Sequence, residues 1–292
     1  MVNSTREGTT YGNAWMHRTL IRLLRHVDIR LLYGFMAIFV IPFTLLFSPG
    51  ARLTLRYFHR IKGHGWWHSL WETYRNHVIF GQTVIDKFAM YAGHRFKVNY
   101  QGLDAFNEMT RRPEAFIQLS AHIGCSEIVG YSYDNHKPSN VLVYGGEKKG
   151  VMNYRQSAFG NKHIKMVPVG TGKDSSEEII KALDRGEIVY AFADRFMSAG
   201  KEIQATLHGH QIRLAKGPFS MAVTRGLDVF MTSAMDEKDG SYTAYLTPLT
   251  YDKTLNKAGQ RQQLADAYVA EIERLLGLYP LQWFNYSDIW VA

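Results

Sequence analysis

The stretch AFIQLSAHIGCSEIVG, residues 115–130, sets our expectation for both the fold and the site. An apolar run of strand type ends at Ser120, and a turn containing glycine leads into a second apolar face that begins at Ile128. This order predicts a buried strand, a tight turn and the first turn of a helix. His122 then lies at the carboxyl end of the strand, where open α/β sheets place their ligands.

Glu127 follows His122 by five residues and falls in the first helical turn, from which its carboxylate can reach back to the imidazole. A carboxylate in that position holds one tautomer of the ring and stabilises the imidazolium that forms when the ring takes a proton. We therefore predict that His122 is a general base and that Glu127 orients it. The alternative is a structural histidine with an acidic neighbour by chance, because histidine is only intermediate in burial.

Cys125 lies between the two and offers a second chemistry. It could be a nucleophile that forms a thioester after His122 activates the thiol. The alternative is a small buried cysteine at a helix start, which is a common arrangement. As the single cysteine of the chain, it also excludes an intramolecular disulfide and any metal site built from several cysteines. One cysteine is consistent with a reducing compartment.

The composition is that of a globular protein. The 292 residues are 46% hydrophobic and 21% charged, which is enough for a sizeable core. The formal net charge of +8 favours anionic partners such as phospholipid headgroups, nucleic acid, phosphorylated cofactors or an acidic carrier protein. The cations cluster around an apolar segment and no nucleic-acid motif is present, so we predict no nucleic-acid partner.

Residues 1–62 are predicted to form an N-terminal membrane-anchoring segment. Arginines alternate with leucines and isoleucines over residues 17–30, a basic amphipathic pattern that suits an anionic membrane surface. No charged residue occurs over residues 31–51, which is about the length of a spanning helix. Pro42 interrupts this run and basic residues flank both sides, so a single span and a monotopic insertion both remain open. A buried core hairpin of a soluble domain is the alternative.

Residues 63–292 are predicted to form one α/β domain after a helix that runs from Trp66 to about Tyr91. Strands that alternate with helices of about ten residues predict a mostly parallel or mixed central sheet with helices on both faces. We predict strands at 96–101, 115–120, 139–144, 163–169, 187–193, 227–234 and 242–249. Helices are predicted at 103–112, 124–133, 148–159, 174–185, 216–226 and 258–277.

Other charged residues are placed where they can serve a site. Asp194 and Arg195 end an apolar strand abruptly, which makes them better site candidates than surface charges, although a structural ion pair is the alternative. Arg155 lies on a helix that follows a strand and could bind a phosphate or stabilise an oxyanion; a solvated helix face is the alternative. Lys216 and Gly217 open an apolar helix, and helix starts attract anions.

Metal and cofactor sites are not predicted. His208-Gly209-His210 has no third ligand at a suitable spacing, and such a pair is usually a turn or a strand edge. The loop glycines at 145–146 and 170–172 lack the spacing of a nucleotide-binding loop.

Several motifs in order give the chain a resemblance to the lipid A late acyltransferases, the lauroyl and myristoyl transferases of lipopolysaccharide assembly, within the wider superfamily of glycerolipid acyltransferases. The resemblance covers nearly the whole chain, including the basic helix and apolar anchor at its start. The motifs that carry it are His122-Ile-Gly with Glu127, Tyr154-Arg155 with Gly160, Asp194-Arg195, His208-Gly209, Lys216-Gly-Pro-Phe-Ser-Met-Ala222, and Tyr279-Pro-Leu-Gln-Trp-Phe-Asn-Tyr286 with Trp290.

The resemblance implies acyl transfer from an acyl thioester to a lipid hydroxyl at the cytoplasmic face of a bacterial inner membrane. The donor would be acyl carrier protein or acyl-CoA, and no cofactor is implied. Catalytic roles would fall to His122, Glu127 and Arg155. Substrate binding would fall to Asp194, Arg195, Lys216, Gly217, Gln282 and Trp283. The rival functions are a thioesterase or lipid hydrolase that uses water as acceptor, and a non-catalytic lipid-binding protein with the same fold.

Departures from the family pattern leave the acceptor open. Ser126 stands where the family has an aromatic residue, Cys125 replaces a polar asparagine, and Asp194-Arg195 adds a charge where an amide is expected. A lipid A precursor is therefore one option beside a lysophospholipid, an amino-acid lipid or another glycolipid.

Overall fold

The computed structural model describes residues 14–133, 137–145, 163–170, 175–196 and 200–291. The helices are α1 (Ala14–Leu24), α2 (Ile29–Phe35), α3 (Ile41–Phe47), α4 (Pro49–Arg56), α5 (Trp66–Tyr91), α6 (Leu103–Arg111), α7 (Glu127–Ser132), α8 (Ser176–Asp184), α9 (Lys216–Arg225) and α10 (Lys257–Leu278), with π-helical turns at Met36–Val40 and Tyr57–Ile61. The strands are β1 (Lys97–Gln101), β2 (Phe116–Ser120), β3 (Ser139–Tyr144), β4 (Ile164–Val169), β5 (Ile188–Phe192), β6 (Glu202–Leu207), β7 (His210–Ala215), β8 (Asp228–Asp236) and β9 (Ser241–Leu249). The predicted helix at 148–159, with Arg155, lies outside the described residues.

A seven-stranded mixed sheet forms the centre of the molecule, in the order β1-β9-β8-β2-β5-β3-β4. Neighbouring strands are parallel, except that β8 and β9 run antiparallel. Each of the seven strands predicted from the sequence is present in this sheet, and the predicted α/β fold is confirmed. Parallel strands that are covered on both faces have continuous apolar sequences, so they could be predicted from the sequence.

The β6–β7 hairpin is a second, two-stranded sheet that the sequence analysis did not predict. Its strands alternate apolar and polar residues, and the two-residue connection is His208-Gly209, with φ of 51° and 76°. A two-residue hairpin loop with positive φ at both positions favours residues such as glycine and asparagine. Because His208 occupies the first position, the usual sequence signal for a two-residue hairpin is absent.

Helices cover both faces of the large sheet. One face of β2, β5 and β8 packs against α8, α9 and α10 in the main core, which also includes Tyr57 and Phe58 from the second π-helical turn. The other face packs against α6 and α7. Helices α1 to α4 pack on α5. Met36, in the first π-helical turn, lies so close to Gly81 of α5 that a Cβ on Gly81 would be 2.5 Å from the Met36 sulfur. The domain boundary at residue 62 remains a prediction.

Within the described residues, one helical stretch is long and apolar enough to span a bilayer. It comprises α2, the first π-helical turn and α3, 19 residues from Ile29 to Phe47, with mean hydropathy 2.0 and 11% of its apolar window buried. The π-helical turn ends two residues before Pro42, whose ring would clash with the carbonyl of Ile38 in a regular α-helix. The Ile41 amide instead donates to the carbonyl of Met36, five residues back.

Candidate active site

The strand register places His122 and Asp194 next to each other. Strands β2 and β5 are parallel neighbours in which Ser120 lies opposite Phe192. His122 and Asp194 each come two residues later, so both leave the same edge of the sheet on the same face. The Nδ1 atom of His122 is 2.8 Å from Oδ1 of Asp194, and the backbone N–H of His122 donates to Oδ2 at 2.8 Å.

Asp194 is held in its ionised form. The carboxylate is 1% exposed, and burial alone would raise its pKa, but the charge and the hydrogen bonds of His122, with the charge of Arg195, outweigh burial and lower the pKa. An ionised carboxylate only accepts hydrogen bonds, so Nδ1 of His122 carries a proton, and in the neutral form of the ring Nε2 is then the nitrogen with the lone pair. The imidazole ring is partly exposed and lies against Phe192, with ring centroids 4.7 Å apart. This is the arrangement of an oriented general base.

The carboxylate at Nδ1 of His122 is thus Asp194, where the sequence analysis placed Glu127. The Glu127 carboxylate accepts from Nζ of Lys87 at 2.6 Å and from the hydroxyl of Tyr91 at 3.1 Å, both on α5. The chain turns from His122 towards β8, which lies on the opposite side of β2 from β5. Helix α7 therefore begins over β8 and contacts α5, and the spacing in sequence did not reveal this direction.

Gly124 makes this turn possible. Its φ of 59° is left-handed, and a Cβ at this position would lie 2.1 Å from the carbonyl oxygen of Ala234 on β8. The next residue, Cys125, donates its backbone N–H to the same oxygen at 2.7 Å. The close approach of two backbones fixes the direction in which α7 leaves the sheet.

The Cys125 side chain is unsuited to nucleophilic catalysis. It is buried, and burial raises its pKa well above the usual range, with a further rise from the Glu127 charge. The thiol therefore stays protonated, whereas a cysteine nucleophile reacts as the thiolate.

A segment near the end of the chain ties the two strand ends together. The Phe284 backbone N–H donates to the His122 carbonyl at 2.6 Å, and the Asn285 side-chain amide donates to the Asp194 carbonyl at 2.7 Å. The Arg195 guanidinium donates to the Phe284 carbonyl at 2.9 Å and to Oδ1 of Asn285 at 3.1 Å. Burial lowers the Arg195 pKa, and the Asp194 charge opposes that effect. Arg195 thus positions the segment that holds the His122–Asp194 pair.

The residues predicted to bind substrate at 282 and 283 are buried in the protein. The Gln282 side chain is bonded through both amide atoms to the backbone of Asp236, and Trp283 packs on Tyr57 and Trp290. These contacts give both residues a structural role. Their part in binding substrate stays a prediction.

Lys216 and Gly217 lie at the start of α9, close to the strand end that carries Asp194. The backbone N–H of Ala215 donates to the carbonyl of Ala193 at 2.9 Å, so the first turn of α9 begins beside Asp194. Gly217 is exposed, and a Cβ there would meet no atom within 4 Å. Anion binding by this helix start stays a prediction, as does the role of Arg155, which lies outside the described residues.

An apolar cavity of about 110 Å³ lies over the sheet face that carries His122. Its floor includes Gln118 and Tyr190, and the Tyr190 ring contacts Phe192, which in turn contacts His122. Apolar and aromatic side chains predominate in the complete lining, which is Phe106, Gln118, Ser126, Glu127, Val129, Gly130, Tyr133, Ser139, Val141, Val143, Ile164, Met166 and Tyr190. The site thus combines a histidine oriented by a carboxylate with an apolar cavity over the same sheet face.

The fold and the site define an α/β protein with a histidine–aspartate pair at the carboxyl edge of its sheet and an apolar cavity over the same sheet face. The chain belongs to the bacterial lipid A biosynthesis acyltransferase family, whose model matches residues 79–290. Its activity is therefore acyl transfer on lipids.

The solved structure of the 1-acyl-sn-glycerophosphate (LPA) acyltransferase, PlsC, from Thermotoga maritima is similar to this chain, with 13% sequence identity, a TM-score of 0.40, and 93% of this chain and 99% of that chain covered. A likeness of this degree carries no conclusion about chemistry. No curated protein sequence matches this chain.

Proposed function

We propose that the protein transfers a fatty acyl chain from an acyl thioester to a hydroxyl of a lipid A precursor or a related glycolipid or lysolipid. The observation that carries this proposal is the His122–Asp194 pair, with 2.8 Å between Nδ1 and the carboxylate, on the sheet face that the apolar cavity covers. Acyl carrier protein or CoA would carry the acyl group. Acyl carrier protein is acidic, and a net charge of +8 favours its approach.

In the proposed mechanism, Nε2 of His122 removes the proton from the acceptor hydroxyl as its oxygen attacks the thioester carbonyl. The new C–O bond gives a tetrahedral intermediate, and Asp194 stabilises the imidazolium through Nδ1–H. Collapse of the intermediate breaks the C–S bond, and the imidazolium returns the proton to the departing thiolate sulfur. The products are the acylated lipid and the free thiol of the carrier. We assign stabilisation of the oxyanion to Arg155, in keeping with the family resemblance.

We assign the acyl chain to the apolar cavity. Val141, Val143 and Met166 line it from the strands, and Val129 and Tyr133 line it from α7 and the residue that follows it. Ser126 and Glu127 lie at the start of α7, next to the turn that follows His122, and supply the polar end of the lining. An acyl chain extended through this cavity would leave its carbonyl near His122.

We further propose that the protein is attached to a membrane, at the cytoplasmic face of a bacterial inner membrane. The apolar stretch Ile29–Phe47 exposes large side chains, such as Phe43 at 67% and Leu46 at 73%. On α5, Trp67 is 81% exposed, and tryptophan favours the headgroup level of a bilayer. Exposed arginines at both ends of the stretch would contact anionic lipid headgroups.

The test is an acyl-transfer assay with purified full-length protein in mixed micelles. Radiolabelled acyl-acyl carrier protein or acyl-CoA is incubated with a lipid A precursor or a lysophospholipid, and the products are identified by mass spectrometry. We expect a lipid that gains one acyl chain, and loss of most of this activity in His122→Ala. His210→Ala, an exposed histidine on β7, is the matched control and should retain full activity.

Release of free fatty acid without acceptor, dependent on His122, would replace the transferase proposal with a hydrolase. Binding of acyl donor or lipid without any product, unchanged in His122→Ala, would replace it with a non-catalytic lipid-binding protein. Equal activity in the wild type and in His122→Ala would refute the assigned base.

A further inference from the structure

A second cluster of ionisable side chains lies before and within the first turns of α5. His64, His68 and Glu72 are spaced four residues apart, and their ligand atoms all lie within 4.8 Å of one another. We propose that these three side chains bind a divalent transition-metal ion, with Zn²⁺ the ion that suits them best. The pattern His-x3-His-x3-Glu is present in the sequence at residues 64–72, and it is a metal-binding signal that the expectation of no metal site did not take into account.

The geometry brings both imidazoles to one carboxylate. Nδ1 of His64 is 2.6 Å from Oε2 of Glu72, and Nε2 of His68 is 3.2 Å from Oε1. His68 and Glu72 are one helical turn apart on α5, so they share a face of the helix. Two histidine nitrogens and one carboxylate oxygen are a known zinc ligand set, which leaves a fourth position for water.

The surrounding backbone holds His64 in place. Its N–H donates to the Phe58 carbonyl at 3.1 Å, and its own carbonyl accepts from Nδ1 of His59 at 2.8 Å and from the Ser69 hydroxyl at 3.2 Å. The His64 ring stacks on Phe58 with an interplanar angle of 14°. The ligand that lies outside the helix is therefore fixed by the fold, as a preformed site requires.

The charge balance of the cluster favours a cation. Glu72 is 8% exposed, and the ion-pair partners that the structure gives it are the two imidazoles. A buried carboxylate needs a positive charge or several hydrogen bonds. A bound Zn²⁺ would supply the charge and use the lone pairs of both rings.

The position of the cluster indicates what the ion does. It lies at the junction between the π-helical turn Tyr57–Ile61 and α5, where the N-terminal helices join the α/β domain. The His68 side chain is 64% exposed, which gives an ion and its water a path from solvent. The ion, held by three side chains with water at the fourth position, would tie the residues just before α5 to its first two turns, apart from the chemistry at His122.

The experiment uses the full-length protein in detergent, stripped with EDTA and then passed into chelator-free buffer. Zn²⁺ is titrated in competition with a chromophoric chelator, and bound metal is counted by mass spectrometry. We expect one Zn²⁺ per chain and binding at least about 100-fold weaker in His68→Gln and in Glu72→Gln, because loss of an outer-shell partner alone costs about 10- to 100-fold. His210→Gln is the matched control and should bind as the wild type does.

A wild-type protein that retains no Zn²⁺ at micromolar concentrations overturns the proposal. So does binding that is unchanged in both variants, or that is lost equally in His210→Gln. Circular dichroism checks that each variant is folded. If a variant does not fold, Co²⁺ titrated into the wild type decides the matter, since a four-coordinate site gives strong visible absorption and a merely surface-bound, hydrated ion does not.

Discussion

Replacement of Asp194 by asparagine tests which carboxylate orients His122. Asp194 accepts the backbone N–H of His122 at one oxygen and Nδ1–H at the other. Asparagine has one acceptor and one donor group in the same volume. If its oxygen keeps the backbone N–H, its amide must donate to Nδ1, which then loses its proton. The proton moves to Nε2, and the ring can no longer accept the proton of the acceptor hydroxyl.

The size of the loss follows from this exchange of tautomers. In a serine protease triad, the same aspartate-to-asparagine change keeps the geometry and lowers kcat about 10⁴-fold. Both atoms that Asp194 bonds belong to His122 and the carboxylate is 1% exposed, so solvent cannot replace it. We therefore expect kcat for acyl transfer to fall by about 10³- to 10⁴-fold, which corresponds to about 4 to 5.5 kcal/mol of barrier.

The assay measures steady-state kcat and KM for transfer from a fixed acyl donor. Asp228→Asn, at the amino end of β8 and paired with Lys253, is the matched control and should keep activity within about twofold. The His122→Ala/Asp194→Asn double variant should be little worse than His122→Ala, as expected for residues that act as a unit. A kcat for Asp194→Asn above a tenth of the wild-type value, with Glu127→Gln inactive and non-additive with His122→Ala, would refute our pairing and restore Glu127 as the orienting residue.

Two further predictions concern stability. Gly124→Ala should destabilise the protein by about 2 to 4 kcal/mol in thermal unfolding, because the new Cβ would lie 2.1 Å from the Ala234 carbonyl oxygen at a left-handed φ; a change below 0.5 kcal/mol would contradict the assigned turn. Asp86 accepts from the hydroxyls of Tyr33 and Tyr242, and burial raises its pKa to about 6 despite these bonds. The folded state therefore binds the proton more tightly than the unfolded state. This stabilisation is complete below about pH 4, is lost as the pH rises through 6, and amounts to about 3 kcal/mol. Denaturant titrations from pH 4 to 7.5 should show this difference between the wild type and Asp86→Asn, and parallel pH curves would contradict it.

The α/β body could be predicted from the sequence because its strands are buried on both sides. A buried strand such as Ile188–Phe192 is a continuous apolar run that ends at a charged pair, and the spacing between such runs gives the helices. The half-exposed β6–β7 hairpin carries a weaker, alternating pattern and was missed. Its His208 adopts a positive φ that sequence reasoning assigns to glycine or asparagine.

The residues of the site could be predicted from the sequence, but not which carboxylate bonds to His122. His122 and Asp194 were both identified as polar residues at the ends of apolar strands, which is a local property. Their contact depends on β2 and β5 being neighbours in register, and strand order is not contained in either segment. The short separation in sequence between His122 and Glu127 favoured Glu127 as the partner of His122. The left-handed turn at Gly124 instead directs the chain towards β8. Lys87, the partner of Glu127, lies 40 residues earlier and carried no local signal.

The segment from Gln282 to Asn285 supports the candidate site through hydrogen bonds to the ends of β2 and β5. Beyond the last paired residues of β2 and β5, the backbone at 121–124 and 193–195 needs other hydrogen-bond partners. The segment supplies them through the bonds from Phe284 to the His122 carbonyl and from Asn285 to the Asp194 carbonyl, and the Gln282 carbonyl accepts the Gly124 N–H at 2.8 Å. Three hydrogen bonds thus join the turns that carry His122 and Asp194 to a stretch far away in sequence. These contacts give the closing motif a role in positioning His122 and Asp194, and substrate binding by Gln282 and Trp283 stays a prediction.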